Sequence, residues 1–264
     1  MLRLNVYGAL LSAVVLAVAG INTARANVVL NGGFEISSGI SQLSDPGTGG
    51  YSSLNNWSVG VAGPFATYAL LFNGSSADTA GSYSPSFGQV VKLHGPNTGV
   101  NNGYTGSPDG GNFVALGSGS SFRGTGISQT LAGLVAGSSY DVSFFWAVGN
   151  MSDLNNAGTS SLKVQLGSSP SQSTSTVSTA GNGFSSWLIE SFNFTAASST
   201  ETLKFLAEGS WDGPGPLVLL DGVSVYASTL PAAVPEPGTV GLLACALAGA
   251  GAFRLRRRAQ AKAI

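Results

Sequence analysis

Histidine and cysteine occur once each in 264 residues, as His94 and Cys245. A single cysteine excludes an intrachain disulfide, and a single histidine is too few for a His-rich metal centre. Charged residues are only 9% of the chain, yet the hydrophobic fraction of 43% excludes a charge-rich disordered polymer. No amphipathic stretch of helical period reaches a dozen residues, and no internal repeat is present. What is abundant is glycine, at 38 positions, together with Ser, Thr and Asn. All four disfavour helix interiors and favour turns. The composition predicts many short strands joined by polar turns.

The net charge of −1 hides an asymmetry. Between Asn27 and Pro237 four basic residues (Lys92, Arg123, Lys163, Lys204) face twelve acidic ones, a balance of −8. Such a segment lacks the basic footprint of a nucleic-acid binder. The positive charge collects at the ends, at Arg3 and Arg25 and at Arg254, Arg256, Arg257 and Arg258.

Those ends read as addresses. Residues 1–26 combine Arg3, an apolar stretch from Gly8 to Ile21, and Ala24-Arg25-Ala26. That is the order of a secretory signal peptide, with cleavage expected between Ala26 and Asn27. At the other end, residues 229–237 are Pro-rich, and Gly238 to Phe253 is an uncharged, mostly apolar run before the arginine cluster. As a helix that run rises about 24 Å, a marginal transmembrane span with its basic end on the cytoplasmic side. The order Pro235-Glu236-Pro237, apolar run, arginines resembles the PEP-CTERM sorting signal of Gram-negative bacteria. The resemblance implies transient inner-membrane anchoring by a helix at 238–264, processing by an exosortase-type enzyme, and release to the cell surface or beyond, in association with extracellular polysaccharide.

Residues 27–228 read as strand after strand: NVVLN (27–31), ATYALLF (66–72), QVVKLH (89–94), NFVAL (112–116), ISQTL (127–131), SYDVSFFWAV (139–148), SLKVQL (161–166), SWLIESFNFTA (186–196), TLKFLAEG (202–209) and PLVLLDGVSVYA (216–227). Period two recurs between Gly/Ser/Asn clusters. In the sixth of these, Tyr140, Val142, Phe144 and Trp146 share one face. The expectation is a single antiparallel jelly-roll β-sandwich, with long loops at 37–56 and 95–111.

The first and last strands carry a second resemblance. Asn31-Gly32-Gly33-Phe34-Glu35 near the start and Leu220-Asp221-Gly222-Val223-Ser224-Val225 at the end are similar to carbohydrate-binding modules of the galactose-binding-like jelly-roll fold. In that family, carboxylates at the positions of Glu35 and Asp221 help to bind a structural calcium. The residues themselves support the same idea, because two carboxylates brought together repel unless something neutralises them, and Ca²⁺ takes carboxylate and carbonyl oxygens. The alternative is that both are turn residues bonded to backbone N–H groups.

Catalytic patterns are sparse. No G-x-S-x-G elbow surrounds any serine, the acids are scattered rather than paired, and the Gly-x-Gly runs precede no helix. Trp57, Trp146 and Trp187 read as core. Trp211, in a polar Gly/Pro loop, and Tyr104 are the best exposed aromatics for a sugar face; the turn Ser107-Pro108-Asp109-Gly110-Gly111 reads as the launch of the NFVAL strand, with Asp109 as an exposed ligand contact in the alternative. The reading is a non-enzymatic exported surface or matrix protein that associates with exopolysaccharide. The alternatives are a purely structural matrix component and, more weakly, a secreted polysaccharide hydrolase.

Overall fold

Alternating apolar residues form strands throughout the computed structural model, which describes residues 26–44, 50–61, 68–118, 125–210 and 215–228. All of these fall in one compact unit, Arg25–Thr229. In chain order the strands are β1 (Ser58–Val61), β2 (Ala69–Asn73), β3 (Ser82–Ser84), β4 (Gln89–Val91), β5 (Asn112–Gly117), β6 (Thr125–Ala132), β7 (Ser139–Gly149), β8 (Gly158–Leu166), β9 (Gln172–Ser173), β10 (Val177–Thr179), β11 (Leu188–Thr195), β12 (Thr200–Gly209) and β13 (Leu217–Ala227). One sheet has the order β1-β6-β12-β8-β10, with β9 on β8; the other is β11-β7-β13-β5-β2; β3 and β4 form a separate hairpin. Pairing within the sheets is antiparallel, and the long strands β5, β6, β7, β8, β11, β12 and β13 sit alternately in one sheet and the other, apart from the short β9 and β10.

Two apolar clusters hold the unit. The larger fills the space between the sheets. Tyr140, Val142, Phe144 and Trp146 of β7 face Leu203, Phe205 and Ala207 of β12 and Leu162, Val164 and Leu166 of β8. Phe205 is its centre, with Phe144 edge-on at 5.3 Å and Trp57 at 6.2 Å. The second cluster lies on the outer face of the other sheet, where Leu70, Phe72, Phe113, Ala115, Leu217 and Leu219 are covered by Ala77, Val91, Leu93 and Met151. Strands β2, β5 and the first half of β13 are therefore buried on both faces, and their sequences read as unbroken apolar runs rather than alternation. The outer face of β11 and of the adjoining parts of β7 and β13 lacks this cover.

The N-terminal segment departs from expectation. Residues 27–31 are not a strand, because side chains take over the ladder's bonds. Asn27 Oδ1 accepts from the N–H groups of Val29 and Val225, and Gln129 bonds both the N–H and the carbonyl of Leu30 at 2.8 Å. Val28 N–H donates to Val225 O, and Val223 N–H to Gly32 O. The segment thus still lies along β13, over the stretch that β5 has left.

The expected helices are corrected. Among the described residues no helix is long and apolar enough to cross a membrane. Within those residues the apolar runs form strands, and a 3₁₀ turn at Pro96–Thr98 is too short to span anything. The fold is an all-β two-sheet sandwich, and the transmembrane helix expected at 238–264 is dropped from its description. That segment, residues 1–25, Pro235, Glu236, Pro237 and Arg254, Arg256, Arg257 and Arg258 lie outside the described residues. The inner-membrane partnership, the exosortase-type partner and the membrane-anchored stage of localisation rested on that helix and are withdrawn with it.

Phe205→Ala removes a ring held by two aromatic neighbours and by both sheets. It is expected to cost about 3–5 kcal/mol, read as a lower denaturant midpoint with unchanged slope. A loss below about 1 kcal/mol would show that the intersheet packing closes around the gap.

Candidate ligand pocket and carboxylate cluster

The site is built around the irregularity in β13. Along β7, Phe145 pairs with Asp221 and Ser143 with Ser224, so three steps on β13 match two on β7. The extra residue is a β-bulge, and Gly222 takes the left-handed conformation it requires, φ 59°. The bulge restores the phase, so Asp221, Ser224 and Tyr226 all share the outward face of β13 with Phe145, Ser143 and Asp141 of β7. Val223 and Val225 stay inside.

Asp221 stands where the doubly buried part of β13 ends. It is completely buried, and neither carboxylate oxygen has a hydrogen-bond partner. Burial pushes its carboxyl up to about 8. The Ser107 hydroxyl and Gly222 N–H pull the other way, without hydrogen bonds of good geometry, and the charges of Asp109 and Glu35 add to the rise. A buried, unpartnered carboxyl is costly when ionised.

Glu35 reaches this region through backbone strain. Phe34 has φ 58°, an unusual value for a bulky side chain. Its ring is fully buried, packed edge-on against Trp57 at 5.3 Å. The next side chain is turned toward the start of β5, where Glu35 Oε1 accepts from Asn112 N–H at 2.7 Å. Asp109 sits on the turn closed by Gly110 N–H on Ser107 O. A Cβ at Gly33 would come within 2.7 Å of Asp109 Oδ2, so that turn and the N-terminal turn touch. The three carboxylates arrive from the N-terminal segment, the turn before β5 and the end of β13.

Beside them opens a pocket of about 410 Å³. Its walls include Asp109, Ser143, Phe145, Ile189, Ser224 and Tyr226. Ile189 is 71% exposed. The surrounding outward side chains are polar and interlinked, with Ser143 bonded to Ser191 at 2.9 Å and Asn193 donating to Asp141 Oδ1 at 2.8 Å and to Ser228 Oγ at 2.6 Å.

The expected site residues fall in different places. Glu35 and Asp109 are exposed and Asp221 is buried beside them. Tyr104 is elsewhere and half-buried: its hydroxyl donates to Gly74 O at 2.9 Å, its ring packs edge-on against Phe184, and burial pushes its phenol up. Trp211 lies outside the described residues. Ala26 is exposed, while Asn27 is tied to β13. His94 has Nε2 at 3.0 Å from Leu154 O, away from the pocket walls. Phe145, Ser143, Ile189, Ser224 and Tyr226 were not anticipated. The available signal was Phe145 itself, an aromatic residue out of phase with the inward Phe144 and Trp146.

The expected calcium at Glu35 and Asp221 is a separate question. Neither oxygen of Asp221 has a hydrogen bond of good geometry, although the Ser107 hydroxyl and the Gly222 N–H lie near, and Asp109 and Glu35 add negative charge. Among the described residues, no three His, Cys, Asp or Glu side chains are grouped so that they could hold a metal ion. A calcium at Glu35 and Asp221 would therefore need backbone carbonyls and water for the rest of its shell.

No family model matches the chain, and no curated protein sequence does. Solved structures similar to it include TmCBM61 in complex with β-1,4-galactotriose, 15% identical over 77% of this chain and 99% of that one, TM-score 0.38. Others are a cyclase from Fischerella sp. TAU, 12% identical over 79% of this chain and 100% of that one, TM-score 0.47, and a CBM4 structure, 18% identical over 76% and 99%, TM-score 0.36. Likenesses this distant carry no residue roles to this chain, and the two-sheet architecture stands on its own strand pairing.

The raised carboxyl of Asp221 sets a pH dependence. The folded protein keeps a proton that the unfolded chain loses above its ordinary value of 3.8. This contribution to stability is complete below that value and is lost as pH rises through about 8. In EDTA the melting temperature is expected to fall by about 5 °C or more between mildly acidic and mildly alkaline pH, and Asp221→Asn should remove most of that slope. Identical slopes in the two proteins would show that Asp221 does not titrate in this range.

Proposed function

We propose that this domain is a non-catalytic carbohydrate-binding sandwich that takes a glycan in the pocket beside the β13 bulge, with a structural calcium at Glu35 and Asp221. The observation that carries this reading is the pocket's composition. Aromatic surface from Phe145 and Tyr226 stands next to Ser143, Ser224 and Asp109, on strands paired on both sides. Sugar rings offer apolar C–H faces and a rim of hydroxyls, and such a wall meets both.

The same geometry argues against hydrolysis. Glycoside cleavage needs two carboxyl groups that both reach the scissile bond. Here the carboxyl with the raised value, Asp221, is sealed from solvent. Asp109 alone lines the pocket, and Glu35 is turned onto the Asn112 N–H. The polymer we favour is an exopolysaccharide, whose repeating hydroxyl-rich units match the extended polar face of β7 and β11 around the pocket.

Neutral and acidic oligosaccharide arrays test this directly. Binding is expected with wild-type protein and should weaken about tenfold, roughly 1.4 kcal/mol, in Phe145→Ala and Tyr226→Ala. Absence of binding to any glycan by a folded protein would favour a purely structural role. Turnover abolished by Asp109→Asn would instead establish a hydrolase.

A further inference from the structure

In the pocket a carboxylate and an aromatic ring are set side by side on one glycine. A Cβ at Gly222 would come within 2.7 Å of Phe145 Cδ2 and 3.3 Å of Asp109 Cβ. Without that Cβ both side chains pack on the bulge, and both line the pocket. Gly33 does the same for Asp109 from the N-terminal turn, since a Cβ there would stand 2.7 Å from Asp109 Oδ2. Asp109 is therefore exposed yet backed by bare backbone. Its backbone N–H is bonded to Ser107 Oγ, while its carboxylate has no hydrogen bond or ion pair among the described residues.

No cation balances it at longer range. The strands of its sheet (β2, β5, β7, β11 and β13) and the N-terminal segment 26–44 contain no Lys or Arg. The described lysines are elsewhere. Lys163 on β8 and Lys204 on β12 belong to the opposite sheet, Lys163 being paired with Glu208, and Lys92 follows β4. On the pocket side stand Asp109, Glu35, Asp221 and Asp141, the last paired across the strands with the wall residue Tyr226. A concave wall of one sign concentrates ligands of the opposite charge and repels those of its own.

We infer that the pocket selects a glycan bearing free primary amines, an amino-sugar polymer without its N-acyl groups, with Asp109 pairing the ammonium of the sugar whose ring rests on Phe145; this selectivity rests on the reading of the pocket as a glycan site. An ammonium on that ring is stabilised twice. The carboxylate accepts a charge-assisted hydrogen bond from it, and the aromatic faces of Phe145 and Tyr226 attract cations. An N-acyl group removes the charge and adds bulk where Asp109 stands. A uronate or sulfate meets like charge and finds no cation in the wall. A lysine-rich peptide meets the same field, but its extended side chains offer no ring face to Phe145.

Calorimetry on the full chain at low ionic strength tests this, with glucosamine oligomers of one length, free or N-acetylated, and a uronate oligomer. The free-amine oligomer is expected to bind about fivefold more tightly than its acetylated form, the upper value for an exposed ion pair. The uronate should bind weakest, and high salt should shrink the difference. Asp109→Asn, which keeps a turn-compatible side chain, should bring the ratio of the first two affinities close to one. Gly33→Ala keeps the charge but displaces the carboxylate, and should lower the same ratio. Acetylated or uronate oligomers that bind wild type as tightly as the free amine would overturn the selectivity and leave the carbohydrate reading intact. Binding of no oligosaccharide would refute that reading itself. A ratio that survives Asp109→Asn would overturn the role of Asp109. Oligolysine bound as tightly as the amine oligomer, with no loss in Phe145→Ala, would overturn the sugar in favour of a basic peptide.

Discussion

Strand β13 has to be paired on both edges and covered on both faces, and it can satisfy that only as far as Asp221. Up to Leu220 it lies between β5 and β7, with the intersheet core beneath it and the second apolar cluster above. Beyond that point β5 stops pairing and the outer cover ends. The chain answers with a bulge at Gly222 and with the N-terminal segment, which supplies Gly32 O and Asn27 Oδ1 to the freed N–H groups. Unpaired buried N–H groups would cost as much as lost hydrogen bonds, so this replacement is obligatory rather than decorative.

The functional features follow from that one transition. Where the outer cover ends, outward side chains of β7, β11 and β13 line an open pocket. Where the N-terminal segment is drawn across β13, Glu35 comes near Asp221 and Asp109. A strained Phe34 completes the arrangement, because its left-handed backbone buries the ring and aims the following carboxylate at β5 in a single step. The strain lies beside the candidate site, and the buried ring over-determines it.

Much of the fold was legible in sequence. Tyr140, Val142, Phe144 and Trp146 alternate inward as their period requires, and β5, β6, β7, β8, β11, β12 and β13 fall on segments read as strands. The short strands β1, β3, β9 and β10 were not read, since two to four residues carry no measurable period. NVVLN looked like a strand because propensity does not reveal that Asn27 and Gln129 side chains will take its bonds. The carboxylates Glu35, Asp109 and Asp221 were each singled out, but Asp109 was assigned to a ligand and the others to a metal. Their common location depends on contacts between residues some seventy to two hundred positions apart.

Local chemistry determined what was fixed in advance: glycine-rich turns and alternating side chains favour strands over helices. Only the tertiary structure decided which faces stay open. An outward residue such as Phe145 or Tyr226 has the same two-residue period whether a second layer covers it or not. Leu219 is buried and Tyr226 lines a pocket because the two segments carrying Leu93 and Met151 cover one half of the sheet and not the other.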